Sequence, residues 1–197
     1  MSRLPTAGDQ IHIVNSGLEC EVNQALGDGA QGKVYQADYE GKKVALKWYK
    51  PNKATARQKE TIEELLRIGA PCNRFLWPID LAISKEVSGF GYIMPLRPNN
   101  YRSIAELVAR KVEPSFRVLC TIAYQLADSY RQLHSRGYCY RDINFDNIFF
   151  NPDAGDILIC DNDNVGIDGQ SEADVLGTQR FMAPEVVRGD KKPSIKT

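Results

Sequence analysis

The sequence predicts an α+β fold in two parts, a strand-rich first half and a helical second half. Three observations carry that reading. Short apolar runs bounded by glycine and proline fill residues 20 to 96, with one amphipathic helix among them. A longer segment places Phe116, Leu119, Ile122, Ala123, Leu126, Tyr130 and Leu133 three or four positions apart, as a helix with one buried face requires. From Tyr138 to Gly166, polar loops rich in Asp and Asn alternate with short apolar strands. The expected organisation is a loose lead-in over 1–19, a first lobe over 20–96 and a second over 97–197.

Composition excludes several classes of function. In 197 residues the hydrophobic fraction is 43%, enough for a real core. Lys+Arg and Asp+Glu balance at 25 each, and the basic residues cluster no further than pairs such as Lys42-Lys43, so no nucleic-acid partner is expected. No apolar run is long enough to span a membrane, and the N-terminus lacks the apolar core of a signal peptide. Cys20, Cys72, Cys120, Cys139 and Cys160 are scattered without a C-x-x-C pair, which points to reduced thiols and a cytoplasmic location.

In the first half, Leu26 to Tyr35 contains G-x-G-x-x-G-x-V at Gly27, Gly29, Gly32 and Val34. Glycines let the backbone approach phosphate oxygens, although they also mark ordinary hairpin turns. A dinucleotide-binding unit needs a helix directly after the glycines. Here Lys33 to Tyr39 reads as a strand, with a turn at Glu40-Gly41. Val44-Ala45-Leu46-Lys47 forms the next strand, whose alternation can send Lys47 into a cleft, against the commoner fate of a solvated lysine. Ala54 to Ile68 reads as a helix carrying Glu60, Glu63 and Glu64. Phe90 to Pro98 reads as a strand running into a linker, because Pro95 and Pro98 stop pairing.

In the second half, Ser103 caps a short helix with Glu106 at the capping-box position. Pro114-Ser115 opens the longer helix, and Gly137 stops it. His134, at its end, reads as a packing residue. Asp142 stands five residues before Asn147, and an apolar run follows at once. A carboxylate and an amide so placed can take a proton and hold a metal ion. The strand Ile157 to Cys160 delivers Asp161-Asn162-Asp163-Asn164-Val165-Gly166, in which Asp161 or Asp163 is the candidate ligand. The string Gly177-Thr178-Gln179-Arg180-Phe181-Met182-Ala183-Pro184-Glu185 closes the pattern.

In this order the segments resemble the motifs of a eukaryotic-type protein kinase domain: the glycine loop, V-A-I-K, H-R-D-x-x-x-x-N with Tyr140 in place of His, D-F-G, and A-P-E. The wording around Phe75-Leu76-Trp77-Pro78, Cys139 to Asp142 and Ile159 to Gly166 looks most like bacterial serine/threonine kinases with a C-terminal helix-hairpin-helix DNA-binding region. That region is not among these residues, so DNA binding is not carried over. The resemblance implies a five-stranded antiparallel sheet with one helix, then an incomplete helical lobe. It implies ATP and Mg2+ as cofactors and a protein serine or threonine as acceptor, with Thr178 as the substrate-loop threonine.

The resemblance also implies residue roles. Gly27, Asp28, Gly29 and Gly32 would cover the nucleotide phosphates, and Val34, Ala45, Met94, Pro95, Leu96 and Phe149 would surround adenine. Lys47 would neutralise phosphates, paired to one of Glu60, Glu63 and Glu64, of which spacing from Phe75 favours Glu63. Asp142 would take the acceptor proton, and Asn147 and Asp161 would hold magnesium. Arg141 would receive a phosphorylated residue, with Ser171 the nearest candidate. Three departures stand out: Asn144 replaces the usual Lys two after the catalytic Asp, Asn162 replaces the Phe of D-F-G, and Phe149 replaces an aliphatic floor residue. The chain stops twelve residues after Glu185, so exposed apolar surface on the Phe116–Ser135 helix is expected, covered by a partner chain or a further region. The rival reading is a non-catalytic binding module, and a small-molecule phosphotransferase is a third.

Overall fold

The computed structural model describes residues 3–169 and 177–196. The chain divides into two compact units, Met1–Ala70 with Trp77–Arg97, and Pro71–Leu76 with Pro98–Thr197.

The first unit is an antiparallel barrel. Strands β1 (Gln10–Ile13), β2 (Glu19–Asp28), β3 (Gly32–Tyr39), β4 (Lys42–Tyr49), β5 (Asp80–Ile83) and β6 (Phe90–Pro95) pair in the order β1-β2-β3-β4-β6-β5. The β3–β4 hairpin turns at Glu40-Gly41, both with positive φ (49° and 72°), as a two-residue turn that follows the sheet twist requires. The barrel interior is filled by alternate residues, among them Ile11, Ile13, Val22, Leu46, Trp48 and Ile93.

Two expectations are corrected here. The sheet has six strands rather than five, and the sixth comes from residues 1–19, expected to be a loose lead-in. Ile11 and Ile13 are fully buried, and β1 closes the barrel by pairing Ile13 with Ala82 of β5. The buried Asp80 carboxylate accepts from the backbone N–H groups of Asn15 and Ser16 at 3.1–3.2 Å, which fastens the turn after β1.

Helix α1 (Ala56–Ile68) starts at Thr55, whose hydroxyl accepts from the Gln58 N–H. Its buried Ile62 and Leu65 fix its orientation. Gln58 donates to the Tyr49 hydroxyl (2.9 Å) and the Trp77 indole donates to the Leu65 carbonyl (2.9 Å), which fastens α1 to the unit.

In the second unit, α2 (Ile104–Val108) carries the expected capping box between Ser103 and Glu106. Helix α3 (Phe116–His134) starts at the Ser115 cap and buries Val118, Ile122, Ser129 and Leu133. Phe116 is 80% exposed and Tyr124 70% exposed on it, which meets the expectation of uncovered apolar surface. Two small sheets hold the loops: Ile148–Phe150 lies between Ile157–Ile159 and Arg102–Ser103, and Tyr138–Tyr140 pairs with Val165–Ile167. The segment 71–76 lies beside the strand Ile157–Ile159. Leu76 donates to the Ile159 carbonyl (2.9 Å), Ile159 donates to Arg74 (2.8 Å), and Arg74 binds Asp128 of α3 (3.0 Å). Ser171 lies outside the described residues. Among those described, no helix is long and apolar enough to cross a membrane.

Candidate active site

In the first unit, β-strand alternation sorts the candidate residues onto one face. Val34 stands opposite Lys47, and Ala45 opposite Met94, while the intervening Tyr35, Leu46 and Ile93 point into the barrel. Val34, Ala45, Lys47 and Met94 therefore share the outer face of the sheet. Lys47 is only 3% exposed there, with its ammonium 5.8 Å from the Tyr49 ring centroid. Pro95 opposes Val44 at the end of β6, and the half-buried Leu96 follows it.

The glycines divide by role. A Cβ on Gly27 would meet nothing within 4 Å, and one on Gly29 would meet only the Gly32 carbonyl at 3.5 Å. That open backbone, joined by the Gly29 N–H to Gly32 carbonyl bond (2.9 Å), suits close approach by a phosphate. Gly32 is different: a Cβ there would sit 2.5 Å from the Trp48 carbonyl. Its glycine is demanded by the barrel. Asp28 pairs with Lys50 at 2.8 Å, and that ammonium holds its carboxyl below the ordinary range.

The Lys47–Glu63 pair is not present. Glu63 lies on the solvent face of α1, 51% exposed, 3.9 Å from Lys59. Glu60 is exposed too, and Glu64 alone of the three is half-buried. Successive residues are rotated by about 100° around a helix, so Glu63 and Glu64 flank the Ile62–Leu65 stripe on opposite sides.

In the second unit, the loop 141–147 joins Tyr138–Tyr140 to Ile148–Phe150 and organises itself around Asp142. Thr178 donates its hydroxyl to Asp142 Oδ1 (2.6 Å), and Asn147 Nδ2 donates to Asp142 Oδ2 (3.1 Å) and to the Asp142 carbonyl (2.9 Å). Asn144 is a clamp rather than a charge. Its Oδ1 accepts from the N–H groups of Asp146 (2.9 Å) and Asn147 (3.0 Å), and its Nδ2 reaches the Asp142 carbonyl (3.3 Å) and Thr178 (3.4 Å). Phe145 and Phe181 pack edge to face beside it, centroids 4.7 Å apart.

Asn147 and Asp161 are brought together by the backbone, because Cys160 donates to the Asn147 carbonyl (2.9 Å). Asp161 adopts φ 50°, ψ 45°, a left-handed conformation that costs a non-glycine residue about 1–2 kcal/mol. Asn162, Asp163 and Asn164 then turn inward and are buried, which leaves Asp161 the more open of the two aspartates. Phe149 is half-buried in its strand, opposite Leu158. One amide and one carboxylate are hard oxygen donors, and they fit a magnesium ion that takes its remaining ligands from water and phosphate.

Sequence reasoning missed three contacts. Tyr140, which is buried, donates its hydroxyl to the Cys160 carbonyl (2.5 Å), and burial raises its phenol well above the usual range. Asn162 donates to the Ile159 carbonyl (3.0 Å). The Arg141 guanidinium lies so close over Gly166 that any side chain at 166 would overlap it. The only available signal was residue type: an amide or phenol at a buried position must find a partner.

A carboxylate held by a hydroxyl and an amide thus lies next to an amide–carboxylate pair of hard oxygen donors. The chain belongs to the protein kinase domain family, which matches residues 20–197. It is 27% identical over 187 residues to the probable serine/threonine-protein kinase WNK8 of Oryza sativa subsp. japonica, covering 87% of this chain and 29% of that protein. It is 27% identical to CBL-interacting protein kinase 29 of the same plant, covering 93% and 44%. Serine/threonine-protein kinase 10 of Danio rerio is 29% identical, covering 88% and 18%. The chain thus spans less than half the length of these curated relatives.

Proposed function

We propose that this chain is the catalytic portion of a protein serine/threonine kinase that uses ATP and Mg2+. The observation that carries the reading is Asp142, whose carboxylate already accepts a hydrogen bond from an aliphatic hydroxyl, Thr178, at 2.6 Å. That is the distance at which a general base takes a proton from serine or threonine.

ATP supplies the transferable phosphoryl group, and Mg2+ supplies positive charge against its phosphates. The open space around Gly27 and Gly29 lets the phosphates approach the backbone closely, with Asp28 between them. Lys47 contributes a buried positive charge, and its half-buried position makes Glu64 the proposed carboxylate of α1 for that lysine in place of Glu63. Val34, Ala45, Met94, Pro95, Leu96 and Phe149 offer apolar and backbone surface to adenine. Asn147 and Asp161 would hold the cation. Asp142 would orient the acceptor hydroxyl and take its proton as the new oxygen–phosphorus bond forms and the bond from the γ-phosphorus to the bridging oxygen breaks, with ADP as the leaving group. Asn144 supports the reaction by fixing the loop. These parts work by position and charge.

The motif wording supports kinship with bacterial kinases of the helix-hairpin-helix type. A protein substrate follows from the Thr178 to Glu185 string, five cysteines that form no disulfide among the described residues favour the cytoplasm, and the uncovered face of α3 suits a partner chain or further helices. A second reading, a non-catalytic nucleotide-binding module, is favoured by the buried amide of Asn162 where the family has Phe.

The test is transfer of label from γ-labelled Mg·ATP to a generic basic protein. Asp142→Asn and Lys47→Met should each lower the rate on the order of a hundredfold or more. Transfer by either variant at the parent rate sinks the reading. Nucleotide binding without transfer selects the second one.

A further inference from the structure

The loop that carries Asp142 and the segment that carries Thr178 meet twice. One junction is the hydrogen bond from Thr178 to Asp142. The other lies three residues along each segment, where Phe145 and Phe181 pack edge to face with centroids 4.7 Å apart. The turn that brings Phe181 there is closed by its own N–H, which donates to the Thr178 carbonyl (2.8 Å). The aromatic pair therefore borders the carboxylate of Asp142.

These rings are not core. Phe145 is 40% exposed and Phe181 36% exposed. Ile143, between Asp142 and Asn144, is exposed as well. Phe181 also lines a cavity of about 50 Å³ together with Ile143, Met182, Ala183 and Val186, which is room for several water-sized groups. The charges next to the two rings in sequence, Asp146 and Arg180, are both exposed and of opposite sign, so they favour neither an acidic nor a basic ligand. Apolar surface is what this rim offers.

The occupant follows from the chemistry beside it. An acceptor hydroxyl has to reach Asp142, and an extended peptide advances about 3.4 Å per residue. Side chains within two residues of the acceptor thus lie within about 7 Å of it along the chain, and those on the side of the rings pass over them. A segment docked permanently on the rings would bar the acceptor from the carboxylate, whereas the acceptor chain covers them only while it is in place.

We propose that Phe145 and Phe181 form a specificity subsite for the acceptor protein, selecting a large apolar side chain within two residues of the serine or threonine. The proposal rests on the reading of Asp142 as the base for that hydroxyl, and it adds which surroundings of the hydroxyl are accepted. Two rings set edge to face give a phenyl or isobutyl group an apolar bed that alanine is too small to use.

The experiment uses the purified chain, γ-labelled Mg·ATP and synthetic peptides. Each peptide holds one serine among alanines and lysines, with phenylalanine, leucine or alanine placed in turn at each position from two before the serine to two after it. A generic basic protein is labelled in parallel. The parent, Phe145→Ala, Phe145→Leu and Phe181→Ala are compared by kcat/KM, and thermal unfolding shows that each is folded. The expected result is a preference of about tenfold or more for phenylalanine or leucine over alanine at one of those positions, as apolar pockets typically give. Phe145→Ala and Phe181→Ala should lose that ratio, and Phe145→Leu should keep most of it. A merely structural aromatic pair would slow transfer to every peptide alike and leave the ratio intact. That outcome, or a parent that labels the basic protein but shows no apolar preference, overturns the subsite and leaves the kinase reading standing. A parent that labels neither protein nor peptide overturns both. Should Phe181→Ala fail to fold, the two Phe145 variants decide.

Discussion

The Thr178 hydroxyl donates to Asp142 Oδ1 at 2.6 Å, joining residues 36 positions apart in the chain. The bond orients the carboxylate on one side while Asn147 holds its other oxygen. Thr178→Val removes the donor and keeps the shape. It should lower phosphoryl transfer by about a hundredfold, since small misplacements of a base are that costly. Thr178→Ser should retain most of the activity. Steady-state rates of the two variants check this, and a Thr178→Val variant at least as active as Thr178→Ser would mean that the hydroxyl does not matter.

Glu63 and Glu64 should behave differently on substitution. Glu63→Gln touches only a solvent-facing contact with Lys59, and surface pairs of this kind contribute less than about 1 kcal/mol. Its activity should match the parent within about twofold. Glu64→Gln should raise the KM for ATP and lower kcat. The reverse ranking would restore Glu63 as the partner of Lys47.

The glycines of the loop separate stability from binding. Gly32→Ala would drive a methyl group to 2.5 Å from the Trp48 carbonyl, and backbone cannot yield as a side chain can. Such strain typically costs about 1–3 kcal/mol, so a lowered Tm is expected. Gly27→Ala has free space around it and should leave Tm unchanged while weakening ATP binding. Calorimetry with and without nucleotide distinguishes the two effects.

Asp128 gives a pH dependence. Hydrogen bonds from Arg131 first, then Arg74 and Gln132, lower its carboxyl from 3.8 to about 2. A depressed carboxyl contributes stability that is complete above its unfolded value and is lost as pH falls toward the folded one. The contribution of Asp128 should therefore fade between about pH 4 and pH 2. Asp128→Asn should flatten the acid limb of the stability profile, and an unchanged acid limb would contradict it.

Much of the arrangement was legible because its causes are local. Thr55 and Ser115 cap helices through their own third-following N–H, and Glu40-Gly41 makes its turn from two residues alone. Residues that depend on distant packing were not legible. Strand β1 offers only Ile11 and Ile13 in a polar setting, and its reason for existing is β5, some seventy residues later. The choice between Glu63 and Glu64 turns on how α1 sits against Tyr49 and Trp77, which spacing does not encode. Asn144 was read as a missing charge because lysine is usual there, whereas its short amide reaches the backbone on both sides of the loop.

The pairing of Ile13 with Ala82 reaches beyond the packing of the barrel core. An open sheet ends in a row of unused N–H and C=O groups that will accept a strand from any chain that offers one. In this unit the two strands that would otherwise stand at the margins, β2 and β5, are both taken by β1. Recruitment by strand addition is closed to the barrel, and whatever binds it must recognise side chains. Removing the first 13 residues would expose both margins at once and change a self-contained unit into one prone to stack with its own copies.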